Sequence, residues 1–199
     1  MISRREFLAG LAAAPLAAQA AEPILDIHQH TNYSGRSDEE LIQHQRDMGV
    51  SRTVLLPAGS QYGLAAGCGG NDTVGAIVEK LPREYVCFAN ELPDIPEARG
   101  VLEKYLKAGA IGIGEQKFPV DADSRHIDLV AGIAREHGVP VLLHFEFEHY
   151  NLNFDRFYKT LERHPRVNFI GHAQTWWANI DRNCDQRTMY PRGPVTPAD

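Results

Sequence analysis

The sequence predicts an α/β fold of repeated strand–helix units around a parallel sheet. Three observations predict it. Short β-rich apolar runs recur along the chain, amphipathic helical stripes lie between them, and turn residues stand where the helices must stop. The apolar runs, in order, are Ile24–His28, Thr53–Pro57, Tyr85–Asn90, Ile111–Glu115, Pro140–His144 and Val167–His172. Between them, Val74, Ile77, Val78 and Leu81 fall at i, i+3, i+4 and i+7, which places one apolar stripe on a helix. Ala98, Val101, Leu102 and Tyr105 repeat that spacing, as do Ile127, Val130, Ala131 and Ala134, and then Phe154, Phe157, Tyr158 and Leu161. Ser37-Asp38-Glu39-Glu40 and Asp94-Ile95-Pro96-Glu97 both have capping-box spacing. Gly49, Gly109 and Gly138 mark helix ends, and Pro140 follows the last of them.

Strands alternating with helices imply parallel pairing through right-handed crossovers. Six units are too few to close a (β/α)8 barrel, which takes about 250 residues. The expected fold is therefore of the (β/α)8 TIM-barrel type, incomplete, with about six units in the 199 residues. A truncated barrel, from a split or frameshifted gene, is expected in preference to a self-sufficient one, because an open barrel leaves strand edges exposed.

Residues 1–20 read as a targeting segment, and 21–199 as the barrel domain. Ser3-Arg4-Arg5-Glu6-Phe7-Leu8 resembles a twin-arginine export signal. An Ala-rich apolar stretch follows, too short to span a bilayer, and Ala18-Gln19-Ala20 offers a cleavage site. The expected location is the periplasm or the exterior, with no stable membrane span after cleavage. The net charge of −6, with no Lys/Arg cluster, argues against nucleic acid as a partner. Cys68, Cys87 and Cys184 are widely spaced and form neither a zinc-thiolate motif nor a disulfide framework. No motif bears on oligomeric state.

Candidate chemistry gathers at the strand ends. The first strand finishes Asp26-Ile27-His28-Gln29-His30. Residues two apart on a strand share a side, so His28 and His30 converge at its C-terminal end. That end is the active-site face of a parallel α/β barrel. The later runs Val141–His144 and Val167–His172 also end in histidine, and Ile111–Glu115 ends in a carboxylate. A single histidine is most often structural. Four with one carboxylate, from four strands on one rim, suit a divalent transition metal. Lys117, two residues past Glu115, is a second candidate on the same side. Glu146 and His149 lie just beyond strand five and are candidates for the pocket lining, as is Trp176 after His172. Trp177, Asn90 and Glu91 are weaker candidates. His44, His126, His137 and His164 read as helix-surface residues.

On these residues the chain resembles the amidohydrolase superfamily, in its amidohydrolase-related branch. The resemblance runs from about Ile24 to His172 and implies a (β/α)8 barrel holding one or two divalent metals. It implies metal ligation by His28 and His30 after strand one, His144 after strand five and His172 after strand six, with Glu115 in the place of the family's bridging residue. The family's general-base Asp follows strand eight, and no residue here is assigned to that role. Asp181, Asp185 and Asp199 follow no apolar run. The implied cofactor is zinc, with manganese and iron also compatible with such ligands. The implied activity is hydrolysis of a C–O or C–N bond in a small carboxylated or cyclic substrate by metal-activated water. The alternatives are a metal-dependent non-oxidative decarboxylase on the same scaffold and an inactive fragment of such an enzyme.

Overall fold

A computed structural model describes residues 22–59 and 67–180. The targeting segment at 1–20, Cys184 and the three late aspartates lie outside the described residues. Strands and α-helices alternate through six units. They run β1 (Ile24–Gln29), α1 (Asp38–Asp47), β2 (Val50–Leu55), α2 (Asn71–Lys80), β3 (Tyr85–Cys87) and α3 (Ala98–Lys107). The second half is β4 (Ile113–Gln116), α4 (Arg125–His137), β5 (Val141–His144), α5 (Phe157–Arg163), β6 (Phe169–His172) and α6 (Gln174–Ile180).

Every strand pairing is parallel, in the orders β1-β2-β3 and β4-β5-β6. The two sheets meet through a single parallel bridge, Ala89 to Ile113, closed by Ala89 N–H to the Gly112 carbonyl and Gly114 N–H to the Ala89 carbonyl. One six-stranded wall results. It curls so far that the His28 ring, from the first strand, lies 4.2 Å from the His172 ring, from the last. This is an incomplete (β/α)8 barrel, as the alternation of elements predicts. β1 is an edge strand, and its outward side chains Leu25 and Ile27 are 63% and 53% exposed.

The core has the layers of a barrel. Leu56, Phe88 and Leu142 meet inside the wall. Outside it, α3, α4 and α5 bury Leu102, Ile127, Val130, Ile133 and Phe157 against Ile113, Val141, Leu143 and Phe145. A smaller cluster, Leu41, Leu55, Val74, Ile77 and Tyr85, seals α1 and α2 onto β2 and β3. Cys68 is buried and Cys87 half-buried, and both are free thiols. Among the described residues no helix is long and apolar enough to cross a membrane.

The local signals hold at most ends. Ser37 caps α1 in a reciprocal box with Glu40. Gly138 ends α4 at φ 68°, a left-handed conformation that costs glycine little. Three expectations need correction. Asp94 does not cap the helix: Ile95–Ala98 form a turn, closed by the Ala98 N–H to the Ile95 carbonyl, and α3 starts at Ala98 without a side-chain cap. The last stripe is broken, because Phe154 lies in a separate 3-10 turn, so α5 begins at Phe157. That turn rotates the helix to bury Phe157 and Thr160, leaving Tyr158 and Leu161 exposed. His164 is not a free surface group: its Nε2 lies 2.8 Å from the Asp128 carboxylate, and the side chain is largely buried.

Candidate metal centre

His28 lies in β1 and His30 just past it, Glu115 in β4, His144 at the end of β5 and His172 at the end of β6. All five side chains line one cavity of about 580 Å³ at the C-terminal rim of the wall. Glu115 is the hub. Its Oε2 lies 3.2 Å from His30 Nε2 and 3.6 Å from His28 Nε2. Its Oε1 contacts His144 Nδ1 and lies 3.6 Å from His172 Nε2. Side-chain exposure is 3% at Glu115, 8% at His30 and 9% at His144, but 26% at His28 and 31% at His172. The mouth of the site therefore opens on the His28–His172 side, across the gap between the first and last strands.

The protonation states follow from the partners. His30 Nδ1 sits 2.8 Å from the Leu56 carbonyl, which can only accept, so Nδ1 carries the proton. In the neutral ring, Nε2 then presents a lone pair. It faces the Glu115 carboxylate and, at 3.1 Å, His28 Nε2. His144 differs in having a carboxylate at each nitrogen, with Nδ1 toward Glu115 and Nε2 3.1 Å from Glu146 Oε2. Burial alone would raise the Glu115 carboxyl, but the imidazoles of His144, His28 and His30 packed against it outweigh burial and hold the group well below the usual carboxylate range. His172 is pushed down to about 4, first by burial and then by the charge of His28, so at neutral pH it offers a free lone pair.

The His30 lone pair, directed at an ionised, buried carboxylate, is repelled unless a positive charge, a proton or a cation, sits between them. Two groups have donor atoms within 4.8 Å of one another: His28, His30 and Glu115, and Glu115, His144 and His172. Glu115 is common to both. The donor set of imidazole nitrogens around one carboxylate fits a divalent cation, and Glu115 could bridge two. Outer contacts orient the donors. Asp26 accepts from the His28 backbone N–H at 3.0 Å, from Gln29 Nε2 at 2.8 Å and from Gln45 Nε2 at 2.9 Å. Glu146 supports the far nitrogen of His144.

The secondary candidates separate. Lys117 lines the cavity, with Nζ 4.0 Å from Glu146 Oε2 and 5.2 Å above the Tyr150 ring. His149 is exposed and turns its Nδ1 to the Phe147 carbonyl at 2.8 Å, away from the cluster. Trp176, on α6, stacks on Phe145 and packs that helix against the wall rather than lining the cavity. Asn90 and Glu91 are wholly buried behind the site. Gln29, Tyr33, Ser34 and Arg36 also line the cavity. Arg36 is fixed there by hydrogen bonds of 3.0 Å to Gln29 Oε1 and to the His30 carbonyl. The sequence carried no signal for these four: Gln29 closes β1, Tyr33 and Ser34 lie in a short 3-10 turn, and Arg36 follows it.

Gly114 makes the close approach behind Glu115 possible. Its φ is 140°, and a Cβ there would lie 2.7 Å from the Leu142 carbonyl oxygen. Gly114→Ala is expected to destabilise the fold by about 2–3 kcal/mol and to displace Glu115. Urea denaturation checks the first effect, and a loss below about 0.5 kcal/mol would show that the strand shifts freely.

No family model matches the chain, and no curated protein does. Solved structures do. An uncharacterised TIM-barrel protein of Bordetella bronchiseptica superposes with TM-score 0.60 at 13% identity, over 79% of this chain and 69% of its own. A 2,6-dihydroxybenzoate decarboxylase from Rhizobium gives TM-score 0.53 at 14% identity, over 87% and 74%. A candidate amidohydrolase of Staphylococcus aureus gives 0.52 at 18% identity, over 75% and 66%. At these identities the likeness establishes the fold. The chain spans about two thirds to three quarters of the length of these neighbours. The class is thus an incomplete (β/α)8 barrel with four histidines and a glutamate clustered at its C-terminal rim.

Proposed function

We propose that this chain is a divalent-metal-dependent enzyme of the amidohydrolase superfamily, and that it hydrolyses a C–O or C–N bond in a small carboxylated or cyclic substrate. The observation that carries this is the convergence of four imidazoles on the buried Glu115 carboxylate, with the His30 lone pair turned inward by the Leu56 carbonyl. His28, His30, His144 and His172 would hold the cation together with Glu115. A bound cation supplies Lewis acidity toward an oxygen of water or substrate. Zinc suits the imidazole-rich set, and manganese and iron are compatible with it.

The chain's own groups do the rest. Glu115 stays ionised and balances the charge at the centre. Glu146 can accept a hydrogen bond from His144 Nε2 and so leave Nδ1 free toward the cation. Lys117 and Arg36 line the cavity and supply positive charge for a substrate carboxylate. No described residue is assigned as general base.

A second reading, a non-oxidative decarboxylase, draws support from the Rhizobium enzyme, which matches 87% of this chain. The segment Ser3–Leu8 supports twin-arginine export to the periplasm. Elemental analysis of purified protein is expected to find divalent metal in the wild type and to lose it in His28→Ala/His30→Ala. Product analysis on lactones, amides and aromatic acids then separates the reactions: carbon dioxide release supports the lyase, and ring or amide opening the hydrolase. Metal content unchanged in the double variant would overturn both.

A further inference from the structure

Glu115 and His144 stand on neighbouring strands, but the sheet ladder does not fix their spacing. β4 pairs with β5 at Ile113–Val141 and Gln116–Leu143, and the register shifts between these pairs, at Gly114 and Glu115. A different set of bonds spans the break. Asn151 Nδ2 donates to the Gln116 carbonyl at 2.7 Å and to the His144 carbonyl at 2.8 Å. On the other side, Asn90 Nδ2 donates to the Glu115 carbonyl at 2.8 Å and to the Pro57 carbonyl at 2.9 Å. Gln116 Nε2 donates to Asn90 Oδ1 at 2.6 Å, and Asn71 exchanges two hydrogen bonds with the Asn90 backbone. Asn71, Asn90, Gln116 and Asn151 are all buried.

We propose, resting on a cation at the Glu115 cluster, that this belt of buried carboxamides sets the spacing of the metal ligands, with Asn151 as the positioning residue that ties the Glu115 strand to the His144 strand. A primary amide suits the task because one nitrogen carries two N–H groups, which satisfy carbonyls of two strands at once. Asn151 Oδ1 has no hydrogen-bond partner among the described residues. Burying an orphan acceptor is unfavourable, so the group stands there for its two donors. Its φ of 46° is one that asparagine adopts readily, and glycine more so.

The test is titration with cobalt(II), followed by visible absorption, alongside thermal melts of the metal-free protein. Asn151→Gly removes the amide without backbone strain, and Asn151→Asp replaces both donors by acceptors. Thr160→Val is the control: it deletes a buried 2.8 Å hydrogen bond to the Ala122 carbonyl on α5, outside the belt. Both Asn151 variants are expected to bind cobalt about 10- to 100-fold more weakly, with altered ligand-field bands. Thr160→Val is expected to keep the wild-type affinity and spectrum even where its melting temperature falls as far. Should both Asn151 variants fail to fold, Asn90→Ser, which frees the Pro57 and Glu115 carbonyls, is expected to give the same spectral change. Affinities within twofold of wild type with unchanged bands overturn the belt and leave the metal site standing. Equal weakening in Thr160→Val also overturns the belt. A wild-type protein that takes up no cobalt overturns the metal site, and the belt's role with it.

Discussion

Glu115→Gln is expected to cost more than about 100-fold in affinity for a divalent cation, beyond the range for residues that merely support ligands. The substitution keeps the size and shape of a residue that is 2% exposed. It removes the negative charge on which His28, His30, His144 and His172 converge. Imidazoles and a neutral amide are a poorer donor set for a hard or borderline cation than imidazoles and a carboxylate. The amide also cannot bridge the two overlapping donor groups that share Glu115. Thermal melts give the readout. A cation stabilises the native state in proportion to the logarithm of its concentration over Kd, so a 100-fold weaker site loses about 2.7 kcal/mol of that stabilisation at fixed cation. If Glu115→Gln gains as much melting temperature from cobalt or zinc as the wild type, Glu115 is not a ligand.

The second large effect is structural. Phe145 follows His144 directly and points to the other face of β5, where it is wholly buried. Its ring lies 4.9 Å from Phe154, 5.0 Å from Phe157 and 6.0 Å from Trp176, so it joins α5 and α6 to the wall. Phe145→Ala is expected to destabilise the protein by about 3–5 kcal/mol, through lost transfer energy plus the cavity left behind. That is a large part of a typical total of about 5–15 kcal/mol. Phe145→Leu keeps most of the volume and is expected to cost less than about 1.5 kcal/mol. Guanidinium denaturation of the two variants measures both. A loss below 1 kcal/mol in Phe145→Ala would mean that the aromatic cluster relaxes into the space.

The sequence by itself determined the elements and the rim. Side-chain alternation along Ile24–Gln29 puts Asp26 and His28 on the side opposite Leu25 and Ile27, and the helical spacing of Ile127, Val130, Ala131 and Ala134 makes one apolar stripe; both are local periodicities, set without reference to the rest of the chain. Because every strand is parallel, a histidine or glutamate closing an apolar run is delivered to the same end of the sheet. His28, His30, Glu115, His144 and His172 were therefore legible together.

Only the tertiary structure decided what those groups do to one another. The inward lone pair of His30 depends on the Leu56 carbonyl, 26 residues away. The packing of Trp176 from α6 onto Phe145 rather than into the cavity, and the Asn151 amide bonded to the Gln116 carbonyl 35 residues away, depend on neighbours far along the chain. The reason is range: periodicity encodes which face a residue takes, whereas its partners across that face are set by how separate units pack, and hydrogen-bond geometry is resolved only at that level.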